Sequence, residues 1–412
     1  MKSDIIIIGG GLSAFTAGIT LASAGKKVIM IAAGQSTLHY HSGSFDLLGY
    51  DANGMAVTNP LEAIAHLPAT HPYSKLKDIS PLCSEAASML TDAGIKVKGQ
   101  ASQNHCRISP MGVFKPTWLT MDEYVTVPSP SQTLYNKVLL VNIFGFLDFP
   151  SRFVEDGLER AGVQVIEKTA VIEALQQRRQ SPSEMRSPNV ARILNEDNTL
   201  QLLADTINRA AGESEVVLLP AIVGLGGDEA ISRLRALCHL PLYVVATLPP
   251  SVPGVRVQRL LRSRFEALGG IFLNGATVEA GVLTEHRVAG LKVATMPEEE
   301  FSARHYILAT GSFQSHGLVA DYQKVYEPVF NLDVSYDINR PVWTRPNVYD
   351  RQPYMEYGVK TDSLFRALKD GVTIDNLYAV GSVLCGHNSV KAADAAGVKL
   401  LTALAVAKEI LK

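Results

Sequence analysis

The segment DIIIIGGGLSAFTAGITLASAG, residues 4–25, constrains the fold more than any other part of the chain. Its isoleucine run reads as a buried strand, and the alanine-rich stretch that follows reads as a helix. Between them Gly9, Gly11 and Ala14 match the spacing G-x-G-x-x-G/A, with Gly10 inside the turn. Gly9 permits the tight turn, Gly11 lets a phosphate approach the backbone, and Ala14 lets helix and strand pack closely. Amides at the helix start, aided by the helix dipole, would then face an anion. The motif alone is a weak signal, because a ligand-free glycine turn reads the same way.

Its companions sharpen it. YILATGS (306–312) ends an apolar strand at Thr310–Gly311, and NLYAVGS (376–382) ends another at Gly381–Ser382. Both resemble the later strand ends of two-dinucleotide-fold flavoproteins, where backbone must come close to the cofactor. Residues 248–281 add a helical stripe through Val257, Leu260, Leu261, Phe265 and Leu268, a stop at Gly269–Gly270 and a strand at IFL. A closing helix is predicted over 391–411. The expected fold class is therefore α/β, a discontinuous flavoprotein-type Rossmann domain. It is formed by 1–50 and 248–412, with 51–247 inserted as an α/β lobe for substrate or partner. The polar stretch QQRRQSPSEMRSPN (176–189) reads as a loop at the surface or at a subunit contact.

The strand at Val28–Ile31 should end in an acid that accepts hydrogen bonds from an adenosine ribose, but Ala32 and Ala33 stand there. FMN has no adenosine, so the missing acid points from FAD toward FMN. A backbone-only grip on FAD and an empty site are the alternatives. The loop GQSTLHYHSGSFDLLGY (34–50) offers Ser36, Ser42, Gly43 and Ser44 to a flavin phosphate or ring edge. His39 and His41 share a face if the loop is extended; they read as proton carriers or as ordinary hydrogen-bonded side chains.

Composition narrows the rest. A chain of 412 residues with 47% hydrophobic and 19% charged residues is an ordinary globular protein large enough for more than one lobe. A formal net charge of −2 argues against a nucleic-acid binder. No secretory signal is legible, and no apolar run approaches the roughly 18–20 residues needed to span a bilayer. The longest, VLLVNIFGFL (138–147) and VVLLPAIVGLG (216–226), read as buried strands. Cys83, Cys106, Cys238 and Cys385 form no CxxC pair, so neither a zinc site nor an iron–sulfur cluster is written locally. Cytoplasmic thiols are the default reading.

Taken together, these segments resemble the B subunit of the bacterial anaerobic glycerol-3-phosphate dehydrogenase, almost end to end. The resemblance is carried by GGGLSAFTAGI, GQSTLHYHSGSFDLLG, HPYSKL (71–76), RISPMGVFKPTWLT (107–120), TLPPSVPGVRVQ (247–258) and YGVKTDSLFRALKDGVTIDNLYAVGSVL (357–384). It implies a flavoprotein component, associated with FMN, of an enzyme (EC 1.1.5.3) that oxidises sn-glycerol 3-phosphate to dihydroxyacetone phosphate and passes electrons to quinone. It also implies a catalytic pair with an FAD-linked A subunit. An iron–sulfur C subunit would anchor the assembly on the inner face of the cell membrane. One departure stands out: KAADAAGVKLL keeps only Gly397 where the family has a glycine cluster.

Alcohol oxidation on a phosphorylated substrate calls for basic donors, and Arg107, Lys115 and Arg256 are the candidates. Arg256, Arg259, Arg262 and Arg264 also read as one solvated helix face. No catalytic residue is assigned by pattern, and no metal-ligand spacing occurs. Two rivals stay open. One is a self-sufficient FAD oxidoreductase of the succinate dehydrogenase and fumarate reductase group, although AVGS (379–382) lacks the acid usual after that glycine. The other is a flavin-free assembly scaffold.

Overall fold

The computed structural model describes residues Met1–Lys412, which gather into two compact units. The first comprises 1–37, 45–93 and 261–412; the second comprises 38–44 and 94–260. The sequence reading divides the chain at 50 and 247, whereas 51–93 lies in the first unit and 248–260 in the second. Packing accounts for the first of these placements. The helix Ile79–Asp92 packs on the C-terminal helix, and Tyr73 Oη donates to the Leu47 carbonyl at 2.7 Å.

The first unit is built on a six-stranded sheet. Its order is Ile271–Asn274, β2 (Val28–Ala32), β1 (Lys2–Ile8), Ser302–Leu308, Val372–Ala379 and Arg366–Lys369. All neighbours are parallel except the last pair. Parallel strands covered on both faces must be apolar throughout. Ile5, Ile6 and Ile7 are accordingly 0–1% exposed, each contributing about 1.5–3 kcal/mol by burial. α1 (Leu12–Ser23) packs on β2 and on the C-terminal helix, and it needs Gly18 to do so. A Cβ there would lie 3.0 Å from both Met30 and Phe265.

The predicted closing helix is two helices, Ser389–Ala392 and Ala395–Leu411. Ala393 adopts a left-handed φ of 49°, and the Asp394 side chain turns away to His71 and His387. These side-chain bonds override the helical preference of the alanine-rich run.

The second unit has its own parallel sheet, ordered Gln164–Ala170, Lys137–Ile143, Val216–Pro220, Leu242–Val245. The two long apolar runs supply its central strands. The stretch read as a loop at 176–189 is partly ordered instead: two short helical turns lead into the helix Ser187–Leu194. Asp148 Oδ2 fixes its start, accepting from Ser187 N at 2.8 Å and Ser187 Oγ at 2.9 Å. A buried carboxylate thus captures a segment whose composition is that of a loop. No helix of the chain is long and apolar enough to cross a membrane.

Candidate cofactor site

β1 and β2 end side by side, with Ile8 opposite Ile31, and α1 starts directly after the glycine turn. Gly11 is the N-cap, and no side chain caps the helix. The first-turn amides therefore lack intrahelical acceptors and face outward. A Cβ on Gly11 would meet nothing within 4 Å, so this turn opens onto space. Gly9 is different. Its φ is +126°, and a Cβ there would lie 2.3 Å from the Ala309 carbonyl oxygen, so only glycine lets the two strand ends approach.

Around the turn lies a cavity of about 580 Å³, within the range of cofactor sites. Residues 8–13 line one side and 309–312 another. Ser382, Ser389 and Lys399 add to it, and it continues along 31–37 and 276–279. Lys399 is the one lysine or arginine on its lining and Glu279 the one carboxylate. Burial pulls the pKa of the Lys399 ammonium down, and Asp394 partly restores it. Ala32 is buried under Gly10, whose Cβ would come 2.8 Å from that of Ala32; Ala33 is exposed at the rim. Neither offers a ribose acceptor.

Of the residues singled out from the sequence, Gly9, Gly10, Gly11, Ser36, Gly311 and Ser382 line this cavity. Ala14 is wholly buried behind it. Gly381 serves packing: a Cβ would fall 2.1 Å from Ser13 Oγ, and its amide donates to Thr402 Oγ1 at 3.0 Å. Ser42, Gly43 and Ser44 belong to the second unit. There the two serine hydroxyls share a 2.9 Å hydrogen bond, and Gly43 lies against the Tyr124 ring. Gly43 N donates to His41 Nδ1 at 3.1 Å, and burial lowers the pKa of His39, partly offset by Gln258.

Lys115 is exposed, while Arg107 is 7% exposed. Arg256 does not sit on a solvated face. It is 1% exposed, pairs with the buried Glu123 carboxylate, and donates to the carbonyls of Gly224 (3.1 Å) and Gly227 (3.2 Å). Burial lowers its pKa to about 10. Its task is to fix the 224–227 loop, so it is not available as a phosphate donor.

A second cavity of the first unit, about 300 Å³, is lined by residues the sequence did not flag. His71, His387 and Asp394 come together there from positions 323 and 7 residues apart. HPYSKL carries His71, but no spacing rule links it to Asp394, so only the fold reveals the group.

A family model described as an FAD binding domain matches residues 4–396. The chain is thus a flavoprotein of the FAD-binding-domain class, and its cofactor is a flavin. A curated relative from Yersinia enterocolitica, the B subunit of an anaerobic glycerol-3-phosphate dehydrogenase, is 40% identical over 100% of this chain and 98% of its own length. Relatives of the same name from Pectobacterium carotovorum and Actinobacillus pleuropneumoniae are 36% and 35% identical over 100% of this chain and 99% of theirs. The chain belongs to the family of anaerobic glycerol-3-phosphate dehydrogenase B subunits. Among solved structures, a quinol fumarate reductase of E. coli matches 100% of this chain and 70% of its own at 9% identity, with a TM-score of 0.46.

Proposed function

We propose that this chain is the flavin-bearing B subunit of a membrane-associated dehydrogenase that oxidises sn-glycerol 3-phosphate to dihydroxyacetone phosphate, with quinone as the final acceptor. The observation that carries the reading is the cavity at the uncapped start of α1, open above Gly11. A bound flavin supplies a two-electron acceptor for the hydride of a secondary alcohol. The α1 amides and Gly9–Gly11 hold its phosphate, with Ser36, Gly311 and Ser382 around it. Lys399 lines the same cavity. The second unit, 38–44 and 94–260, serves the substrate or the partner. The FAD-linked A subunit completes the catalytic pair, and an iron–sulfur C subunit holds the assembly at the cytoplasmic face of the membrane.

FMN is the form favoured by Ala32 and Ala33, since neither can grip a ribose. One observation favours FAD as a second reading: the cavity continues along 276–279, where Glu279 supplies a carboxylate. The test is to purify the chain with and without its partners, release the flavin by denaturation and identify it by mass. FMN supports the first form and FAD the second; no flavin in the assembled enzyme overturns both. The assembly must also reduce its flavin with glycerol 3-phosphate, and failure there overturns the substrate.

A further inference from the structure

Arg107 is a buried charge without a counter-ion. It is 7% exposed, its Nε has no hydrogen-bond partner, and no ion pair of the protein engages its guanidinium. Arg256 shows how the same unit treats such a group: it is equally buried, yet it has the Glu123 carboxylate and the carbonyls of Gly224 and Gly227. A guanidinium does not shed its proton to escape burial. An unpaired one below the surface therefore marks a place where an anion arrives from outside the chain.

Strand alternation sets the surroundings. Arg107 lies on His105–Ile108, the middle strand of a three-stranded antiparallel sheet with Phe114–Thr117 and Thr126–Val127. Cys106 and Ile108 face one side, where they line an apolar cavity with Phe114 and Val127. His105 and Arg107 face the other, and Arg107 stands opposite Lys115 on one neighbour and Thr126 on the other. Tyr124 brings a hydroxyl to the same region: it is 1% exposed, its Oη has no partner, and the Arg107 charge bears on its phenol. Gly43 holds the 38–44 segment against that phenol. Its φ is +81°, a Cβ there would fall 2.6 Å from the ring, and its carbonyl accepts from Met121 N at 2.9 Å.

The local charge is of one sign. Burial first, then Lys98 and Arg107, pushes the His105 pKa down. Between 97 and 127 the only carboxylates are Asp122 and Glu123. Glu123 is taken by Arg256, and the Asp122 charge acts on Lys98 and Arg256.

We infer that Arg107 and the Tyr124 hydroxyl bind the phosphate of the polyol substrate within the second unit. The inference rests on the proposed function and adds that this chain itself holds the substrate, through residues of 94–260. A phosphate suits the pair better than a carboxylate carried by a partner subunit. Both donors lie below the surface, where a small ion reaches them and a side chain from a facing protein does not. Arg107 donates in its charged form, and Tyr124 stays a neutral donor because burial raises the pKa of its phenol, partly offset by Arg107.

The test uses the flavin-loaded assembly with its partner subunits and reads steady-state kinetics beside calorimetry with glycerol 3-phosphate. Arg107→Met should raise Kd and KM about 10–100-fold and leave kcat within about threefold, the pattern of a contact made equally in ground and transition states. Tyr124→Phe should weaken binding about two- to tenfold. Inorganic phosphate should compete with substrate in the parent and about tenfold less well in Arg107→Met. With no protein partner to lose, Arg107→Met should keep the parental melting temperature; Arg107→Gln gives the same kinetic reading if Arg107→Met folds poorly. Parental Kd and KM in a folded Arg107 variant overturn the inference. So does a variant that binds substrate normally but releases its partner subunits in gel filtration, which would assign Arg107 to an interface. If the parent oxidises glycerol 3-phosphate and the variants bind it as the parent does, only the inference fails; a parent that does not oxidise it refutes the proposed function and the inference together.

Discussion

Arg256 and Glu123 form an ion pair with side chains 1% and 4% exposed, inside the second unit. A buried pair contributes little over an apolar replacement, but breaking it leaves one uncompensated charge. Arg256→Met should therefore destabilise the chain by about 3–5 kcal/mol in denaturant titrations. Adding Glu123→Leu should recover most of that loss. Equal stabilities for single and double variants would contradict a buried charge penalty.

Gly9 and Gly11 should respond oppositely to substitution. Gly11→Val projects into open space, so it should fold with a parental melting temperature and lose its flavin. Gly9→Ala meets the Ala309 carbonyl at a strained φ, so it should lower the melting temperature itself. Flavin stoichiometry measured beside thermal melting separates the two effects; full flavin content in folded Gly11→Val would remove the assigned site.

Lys399 brings its amine to the cavity lining, its pKa drawn down by burial and partly restored by Asp394. A cation there stabilises the more negative, reduced flavin. Lys399→Met should lower the flavin midpoint potential by about 30–60 mV, using the equivalence of roughly 30 mV to 1.4 kcal/mol for two electrons. Dye-equilibrated reduction of the purified assembly reads this directly, and an unchanged potential would place the charge elsewhere.

Ala393 holds φ at 49° between two helices. A left-handed residue with a Cβ costs about 1–2 kcal/mol, and glycine gives back about 0.5–1 kcal/mol through its greater freedom when unfolded. Ala393→Gly should stabilise the chain by roughly 0.5–1 kcal/mol in urea titrations.

Acid should weaken the second unit through His105. Burial first, then Lys98 and Arg107, lowers its pKa to about 4 from an ordinary 6.5. The unfolded chain takes up a proton before the folded chain does, so stability is fully present above about pH 6.5 and falls as the pH drops toward 4. His105→Gln keeps a partner for Thr120 Oγ1, 2.6 Å away, and should flatten that pH dependence.

The glycine turn and the strands of the first unit were legible because their signals are local: four isoleucines, two glycines at fixed spacing, and apolar strands ending in Gly311 and Gly381. Arg256 was misread because alternation along a helix says which side faces away from its own neighbours. It does not say whether another segment covers that side. The broken C-terminal helix and the histidine pair escaped for one reason: Asp394 takes its partners from far along the chain and from a neighbouring turn. Helical propensity cannot anticipate either contact.

The segment 388–399 is a wall common to two cavities, with Ser389 and Lys399 on one face and Asn388, Lys391 and Asp394 on the other. A ligand that repositions such a partition alters the room and charge offered on its far side. Linkage then makes the effect mutual: whatever factor the first occupant imposes on the affinity of the second, the second imposes on the first. The left-handed break at Ala393 lies within that partition, and the carbonyls of Ala392 and Ala393 accept there from the amides of Gly49 and Tyr50, tying the joint to the loop that begins the smaller cavity's lining.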